Sequence, residues 1–179
     1  MRRIIILGVS AGVGKSSLAK ELGKILNLEV YHLDKHFWKP NWIQAHQEEF
    51  CDAQREMVNK QSWIIEGNYS STYHIREVKA DTIIYLELPL IVCLFRVVKR
   101  WIQNIGKTRS DMGEGCKEKL DWQFIKFIVT TFYQRKKKMK TRLKAFQSLK
   151  ESNNVYVLKS KKDIANFLTE LQERKPTNM

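Results

Sequence analysis

The stretch Gly8-Val9-Ser10-Ala11-Gly12-Val13-Gly14-Lys15-Ser16-Ser17 combines glycines, a lysine and adjacent hydroxyls in the order that phosphate chemistry asks for. Glycines let the backbone curl so that successive N–H groups point inward at an anion. Lys15 brings a compact positive charge to the outer phosphates, and the Ser16 hydroxyl can ligate Mg²⁺. The strict pattern places a glycine where this chain has Val9, and here the glycine stands one position earlier, at Gly8, so the loop is expected to be one residue longer. The cradle is read as Gly8, Ser10, Ala11, Gly12, Val13, Gly14, Lys15, Ser16 and Ser17.

A phosphoryl-transfer site also needs a carboxylate near Mg²⁺, cations that spread the charge of the transferred group, and a shield against water. Asp34 and Glu66 both end predicted strands, and either could hold Mg²⁺ through water or take the proton of an attacking hydroxyl. Arg96 and Arg100 lie i, i+4 on a predicted helix, so both guanidinium groups project from one face and could clamp phosphates. Arg109, in a glycine-bearing segment, could fold down over a nucleotide. Trp38, Trp42, Phe37 and Tyr69 could stack on a base, although aromatic residues also fill cores. His32, Asp34 and His36 do not make a metal trio, because His36 belongs to the loop that follows the strand.

These groups need elements to hold them. Ile4 to Leu7 reads as a buried strand, and Leu18, Leu22, Ile25 and Leu26 recur at helical spacing after Lys15, so the phosphate loop opens an amphipathic helix whose N-terminal dipole favours anions. Leu28 to Leu33 reads as a second strand ending near Asp34, and Lys35 to Trp42 as an aromatic loop. Gln44 to Lys60 reads as a helix, Trp63 to Ile65 as a third strand, and Ser71 to Val78 as a short helix or turn. Thr82 to Glu87 reads as a fourth strand, and Pro89 is placed to begin a helix running to about Asn104. Ile105 to Lys117 has the composition of a mobile loop. Leu120 to Thr131 is apolar at helical spacing, and Thr131 to Lys150 is helix-compatible and strongly basic, with Arg135, Lys136, Lys137, Lys138, Lys140, Arg142 and Lys144. Val155 to Leu158 is a fifth strand and Asp163 to Leu171 a last helix. Strands alternating with helices imply a parallel sheet covered on both faces, with its ligands along the carboxyl edge.

The 179 residues fit one domain, read as 1–172 with a frayed tail over 173–179, and 43% hydrophobic content suits a globular chain. Three cysteines, Cys51, Cys93 and Cys116, without CxxC spacing argue against a disulfide framework or a zinc site. The apolar run at the N-terminus is too short for an export signal, and Thr82 to Val98 is broken by Glu87 and Pro89, so neither an exported nor a membrane-spanning chain is expected and a cytoplasmic one is. The net charge of +13 implies anionic partners, either a phosphorylated metabolite in a cleft or a nucleic-acid backbone. The basic stretch from Arg135 to Lys144 fits a solvated helix face or a salt-sensitive duplex surface, and no dedicated DNA-reading motif accompanies it.

With these residues assembled, the chain resembles the nucleoside and nucleotide kinase group of P-loop proteins, adenylate kinase-like, over most of its length. Gly8 to Ser17 looks like the family's phosphate loop, and Trp63 to Asn68 like its third strand, with Glu66-Gly67 where adenylate kinases have Asp-Gly. Asp81 through Pro89 to Arg96 and Arg100 resembles the fourth strand and its arginine-bearing helix. Ile105 to Lys119 takes the position of the lid, with Arg109 as the lid arginine, and Lys159 to Lys162 would lie near adenine. The resemblance implies an α/β P-loop NTPase fold: a three-layer αβα sandwich with a five-stranded parallel sheet in the order 2-3-1-4-5 and a lid over about 105–119.

It also implies ATP and Mg²⁺ as cofactors and a kinase that phosphorylates a nucleoside, nucleotide or similar small molecule, as a monomer or homodimer. Lys15, Asp34, Glu66, Arg96, Arg100 and Arg109 would serve the reaction, Ser16 and Glu66 the metal, and Asp34, Trp38, Gly67, Asn68, Tyr69 and Arg96 the acceptor. The segment after Glu66 lacks the Pro-Arg of adenylate kinases, which argues against adenylate as acceptor. Tyr31-His32-Leu33-Asp34, Trp38-Lys39-Pro40, Glu66-Gly67-Asn68-Tyr69 and Asp111-Met112-Gly113-Glu114-Gly115-Cys116 further resemble the bacterial DNA topology modulation proteins, FlaR-related. That likeness implies a nucleotide-dependent link to DNA as the alternative function.

Overall fold

The computed structural model describes residues 1–174. Its centre is β1, Arg3–Gly8, whose residues from Ile4 to Gly8 are all buried, as a parallel strand covered on both faces must be. β2 is Val30–His32, β3 Trp63–Glu66, β4 Thr82–Leu86 and β5 Asn154–Leu158. All neighbouring pairs are parallel and the order is β2-β3-β1-β4-β5, which is the expected 2-3-1-4-5. Register brings Gly8 beside Leu86, His32 beside Glu66 and Leu86 beside Leu158. The strand ends therefore make one carboxyl rim, where open α/β sheets bind ligands.

Helices cover the sheet: α1 Lys15–Leu26, α2 Leu33–Phe37, α3 Gln47–Asn59, α4 Tyr73–Glu77, α5 Leu90–Asn104, α6 Trp122–Leu149 and α7 Lys161–Glu173. Pro89 caps α5 as expected. Three expectations shift. The aromatic loop from Lys35 is a short helix, α2, followed by a two-stranded ribbon of Trp38–Lys39 against Ile43–Gln44. The two segments read from Leu120 to Lys150 are one helix of 28 residues, about 42 Å long at the usual rise, and Asp121 caps it by accepting from the Gln123 N–H. Glu173 still belongs to α7, and the tail beyond 174 lies outside the described residues.

The core joins Ile4, Ile5, Ile6 and Leu7 to Ile64, Ile65, Ile83, Ile84 and Leu22, all fully buried. Gly23 permits the close approach of α1 to β2, since a Cβ there would lie 2.5 Å from Val30 Cγ2. No helix among the described residues is long and apolar enough to cross a membrane. Urea unfolding should separate two kinds of contribution. Ile84→Ala, which empties the fully buried middle of β4, is expected to cost roughly 2–5 kcal/mol. Ser160→Ala, which removes only the reciprocal Ser160–Asp163 cap of α7, should cost about 1 kcal/mol.

Candidate active site

Between β1 and α1 the chain turns through Val9–Gly14, and two glycines there adopt left-handed backbone angles, Gly12 at φ 74° and Gly14 at φ 104°. A side chain at Gly12 would also meet the Cys93 carbonyl oxygen at 2.3 Å. Gly8 is required for another reason: a Cβ there would sit 2.4 Å from Val13 Cγ1, so its absence lets the loop fold back over the strand end. The departure at Val9 has its explanation here. Val9 has no positive φ, its side chain is buried, and its N–H continues the sheet by donating to the Leu86 carbonyl at 2.9 Å.

Gly8, Ala11, Gly12, Val13, Gly14, Lys15, Ser16 and Ser17 line a cleft of about 1330 Å³, as expected. Ser10, also read as part of the cradle, does not line the cleft: its side chain is buried and its Oγ has no hydrogen-bond partner among the described residues.

The two predicted carboxylates part company. Glu66 Oε1 accepts from the Ser16 hydroxyl at 2.9 Å and lies 2.9 Å from His32 Nδ1, so the third strand is tied to both the second strand and the start of α1. Burial acts to raise the Glu66 pKa, but the His32 hydrogen bond, the Lys15 charge and the Ser16 hydroxyl outweigh it and hold the carboxyl below the ordinary range. Asp34, on α2, lines the cleft and accepts from the Tyr69 hydroxyl at 2.5 Å. Here burial and the nearby Glu66 charge prevail, and the Asp34 carboxyl is raised. A third acid, Asp111 of the lid, was given no role by the sequence reading. It lines the same cleft, and the Arg109 charge and the Ser16 hydroxyl keep it low against its burial.

The arginines reach the cleft but do not act as one free clamp. Arg96 Nη1 donates to the Val13 carbonyl at 2.9 Å and so lies across the loop. Arg100 lines the same cleft as Arg96, and its Nε donates to Glu118 Oε1 at 3.0 Å. Glu118 Oε2 is 2.8 Å from Arg109 Nε, without hydrogen-bond alignment, and Arg109 Nη1 donates to Asp111 at 3.3 Å. The segment expected as an open loop is docked. Asp111, Met112, Gly113, Cys116 and Glu118 are buried, Cys116 Sγ donates to the Lys39 carbonyl at 3.1 Å, and Trp42 Nε1 donates to the Lys117 carbonyl at 3.0 Å. A Cβ on Gly113 would lie 1.8 Å from the Trp38 carbonyl oxygen, so only glycine allows this seat.

Of the residues expected to serve an acceptor, Trp38, Gly67, Asn68 and Tyr69 line the cleft together with Asp34 and Arg96. Trp38 meets Phe37 and Trp42 edge to face, with centroids 4.9 and 5.5 Å apart. Asn68 uses its amide on the loop, accepting from the Gly8 N–H at 3.0 Å and donating to the Gly8 carbonyl at 2.8 Å, which gives it a positioning role. Gly67 at φ 139° turns the chain, and fully buried Arg76 donates to the Gly67 and Tyr69 carbonyls at 2.9 and 3.2 Å; burial brings Arg76 down to about 10.

Arg135, Lys138 and Arg142 on α6 also line the cleft, and Arg142 Nη1 donates to Ser70 Oγ at 3.3 Å beside Tyr69. Sequence reading left these among a solvated or duplex-binding face. Their i, i+3, i+7 spacing beside the buried positions Phe132, Met139 and Leu143 was the signal that they share one side of the helix. Ile164 of α7 lines the cleft, whereas Lys159 to Lys162 do not. Among the described residues no cluster of three His, Cys, Asp or Glu side chains forms a metal site, and all three cysteines are free.

No known family model and no curated protein matches the sequence. Solved structures share its fold. A shikimate kinase from Acinetobacter baumannii, in complex with shikimate, aligns over 97% of this chain and 92% of its own with TM-score 0.53 and 12% identity. Shikimate kinases from Bacteroides thetaiotaomicron and Aquifex aeolicus align over 96% of this chain and 97% and 96% of their own, with TM-scores 0.54 and 0.53 and 16% identity each. None of these comparisons carries the finer likeness to DNA topology modulation proteins. The chain shares the α/β architecture of these kinases: a five-stranded parallel sheet packed with helices and a glycine-rich loop after the first strand.

Proposed function

We propose that the protein is a small-molecule kinase that transfers the γ-phosphate of ATP to a hydroxyl of a nucleoside, nucleotide or similar acceptor. The observation that carries this reading is one cleft lined both by a glycine-curled loop with Lys15 and Ser16 and by a half-buried, raised carboxyl, Asp34. The donor set fits Mg²⁺-ATP: positive-φ glycines free the loop amides, Lys15 supplies charge, and the Ser16 hydroxyl is backed by Glu66. When bound, the nucleotide supplies the transferable phosphoryl group and Mg²⁺ neutralises its oxygens.

The chain's own groups divide the remaining work. Asp34 takes the proton of the acceptor hydroxyl, a role suited to a carboxyl whose proton affinity burial raises, while Tyr69 fixes its orientation. Glu66, held ionised and hydrogen-bonded to Ser16, serves the metal side. Lys15, Arg96, Arg100 and Arg109 spread the charge of the transferred group, and the docked lid excludes water. Trp38 offers a face for a base. Arg135, Lys138 and Arg142 favour an anionic acceptor, such as a nucleotide, over a neutral one. Because those three cations line the cleft, they weigh against a duplex-binding surface on the same stretch.

Measured as ADP release with Mg²⁺-ATP and a panel of nucleosides, nucleotides and small alcohols, turnover should appear with an anionic acceptor. Lys15→Ala should lower it by at least ~10²-fold. Full turnover in that variant would reject the assignment. Arg142→Ala should raise the acceptor KM on the order of tenfold and leave the ATP KM unchanged.

Asp34→Asn should lower kcat by roughly 10²–10⁴-fold while Mg²⁺-ATP still binds. The same variant should melt higher than wild type at neutral pH. A carboxyl whose folded pKa is raised is penalised when ionised, fully above the raised value and not at all below the ordinary 3.8, where both states carry the proton. The gain in Tm should therefore shrink as pH falls and vanish below 3.8; a constant gain would deny the shift.

A further inference from the structure

We infer that α5 is a self-association helix, pairing with α5 of a second copy of this chain across a two-fold axis. The helix has three faces. Cys93 and Val97 are buried, and Arg96, Lys99, Arg100 and Gln103 line the cleft. The third face carries Ile91, Phe95, Val98 and Ile102, continued by Ile105 at the C-cap just past the helix, exposed by 73, 67, 38, 59 and 58%. On a helical wheel these five fall within one sector turned away from both other faces.

Their spacing identifies the occupant. The steps from Ile91 to Ile105 are four, three, four and three residues, the heptad rhythm that keeps an apolar seam against another helix of the same pitch. The five residues expose roughly 600 Å², the upper limit of the largest patch on an ordinary monomer. Two such stripes face to face would bury about 1,200 Å², the lower bound of a specific interface, before any neighbouring residue is counted. A helix lying on a lipid surface has basic residues along its polar borders. Here one border is Leu94 and Trp101 and the other is Val92 and Lys99, so a single cation flanks the stripe.

An antiparallel pairing suits the side chains. It sets Val98, the smallest of the five, against its own copy at the axis, Phe95 against the second copy's Ile102, and Ile91 against its Ile105. An isologous contact of this kind needs no other partner. The +13 charge of each chain opposes association at long range, and none of the five stripe residues is charged, so salt should tighten the dimer.

Sedimentation equilibrium of the full chain at micromolar concentration should give twice the 21.2 kDa chain mass, with tighter association as salt rises. Phe95→Glu combined with Ile102→Glu should halve that mass and preserve the melting temperature and Mg²⁺-ATP binding of the wild type. In a Cys51→Ser background, Val98→Cys should cross-link chains under mild oxidation and Phe95→Cys should not. That result decides the matter even if the double glutamate variant does not fold. A monomeric wild type, a double variant that stays dimeric, or cross-linking at Phe95→Cys as efficient as at Val98→Cys would overturn the proposal. So would a monomer that co-sediments with anionic vesicles, which would give the stripe to a lipid surface. None of these outcomes depends on kinase activity.

Discussion

One buried carboxylate holds the site together. Glu66 receives the Ser16 hydroxyl from α1 and stands against His32 from β2; Glu66 and His32 are buried, while Ser16 faces the cleft. A carboxylate so deeply buried survives as an anion only where hydrogen bonds and opposite charge replace the water it has lost. Three residues beyond it continue the same work: Gly67 turns the chain, Asn68 grips both backbone polar groups of Gly8, and Tyr69 reaches Asp34. Four consecutive residues thus fix the end of β1, the start of α1 and the orientation of the carboxyl across the cleft. Arg76 fastens this segment from beneath, and because it is buried without a carboxylate partner its hold rests on the two carbonyls it serves.

The pairing of acids follows from that anchor. Glu66 and Asp34 belong to one electrostatic neighbourhood, and the charge of the first is among the causes that raise the second. Identical chemistry in two environments yields two characters, one carboxyl held below its ordinary range and the other raised above it. The lid repeats the theme with opposite emphasis. Glu118 stands between Arg100 and Arg109, and Asp111 beside Arg109, so the cations available for phosphate oxygens are already compensated by lid carboxylates. Under the proposed function, a phosphate bound by Arg100 or Arg109 would exchange partners with Glu118, which would couple the 105–119 segment to its occupancy.

Much of this was legible because local rules decide it. Ile4 to Leu7, Gly14-Lys15-Ser16 and Pro89 each state their element through periodicity, turn chemistry or capping, and the strands they imply lie in the expected order. What escaped depends on distance across the fold. Nothing adjacent to Glu118 says that its partners are Arg100 and Arg109, and nothing adjacent to Asn68 says that it will clasp Gly8 sixty residues earlier. The seat of the 105–119 segment escaped for a related reason. Gly106, Gly113 and Gly115 suggest mobility, yet Gly113 is glycine because the Trp38 carbonyl approaches it, a close contact that composition cannot distinguish from slack.

The basic stretch makes the sharper case. Seven cations between Arg135 and Lys144 look alike in sequence, but a straight helix divides them. Lys136 turns to Glu87 at 3.0 Å, Lys137, Lys140 and Lys144 face solvent, and Arg135, Lys138 and Arg142 border the cleft. A duplex surface needs its charges displayed together on the outside, at phosphate spacing. A cleft needs a few of them turned inward around a small volume. The unbroken 28-residue course of α6 sorts these cations, because an uninterrupted helix fixes the direction of every third and fourth residue relative to the buried stripe of Phe132, Met139 and Leu143. Net charge announces an anionic ligand; the phase of this helix against the core favours a small one.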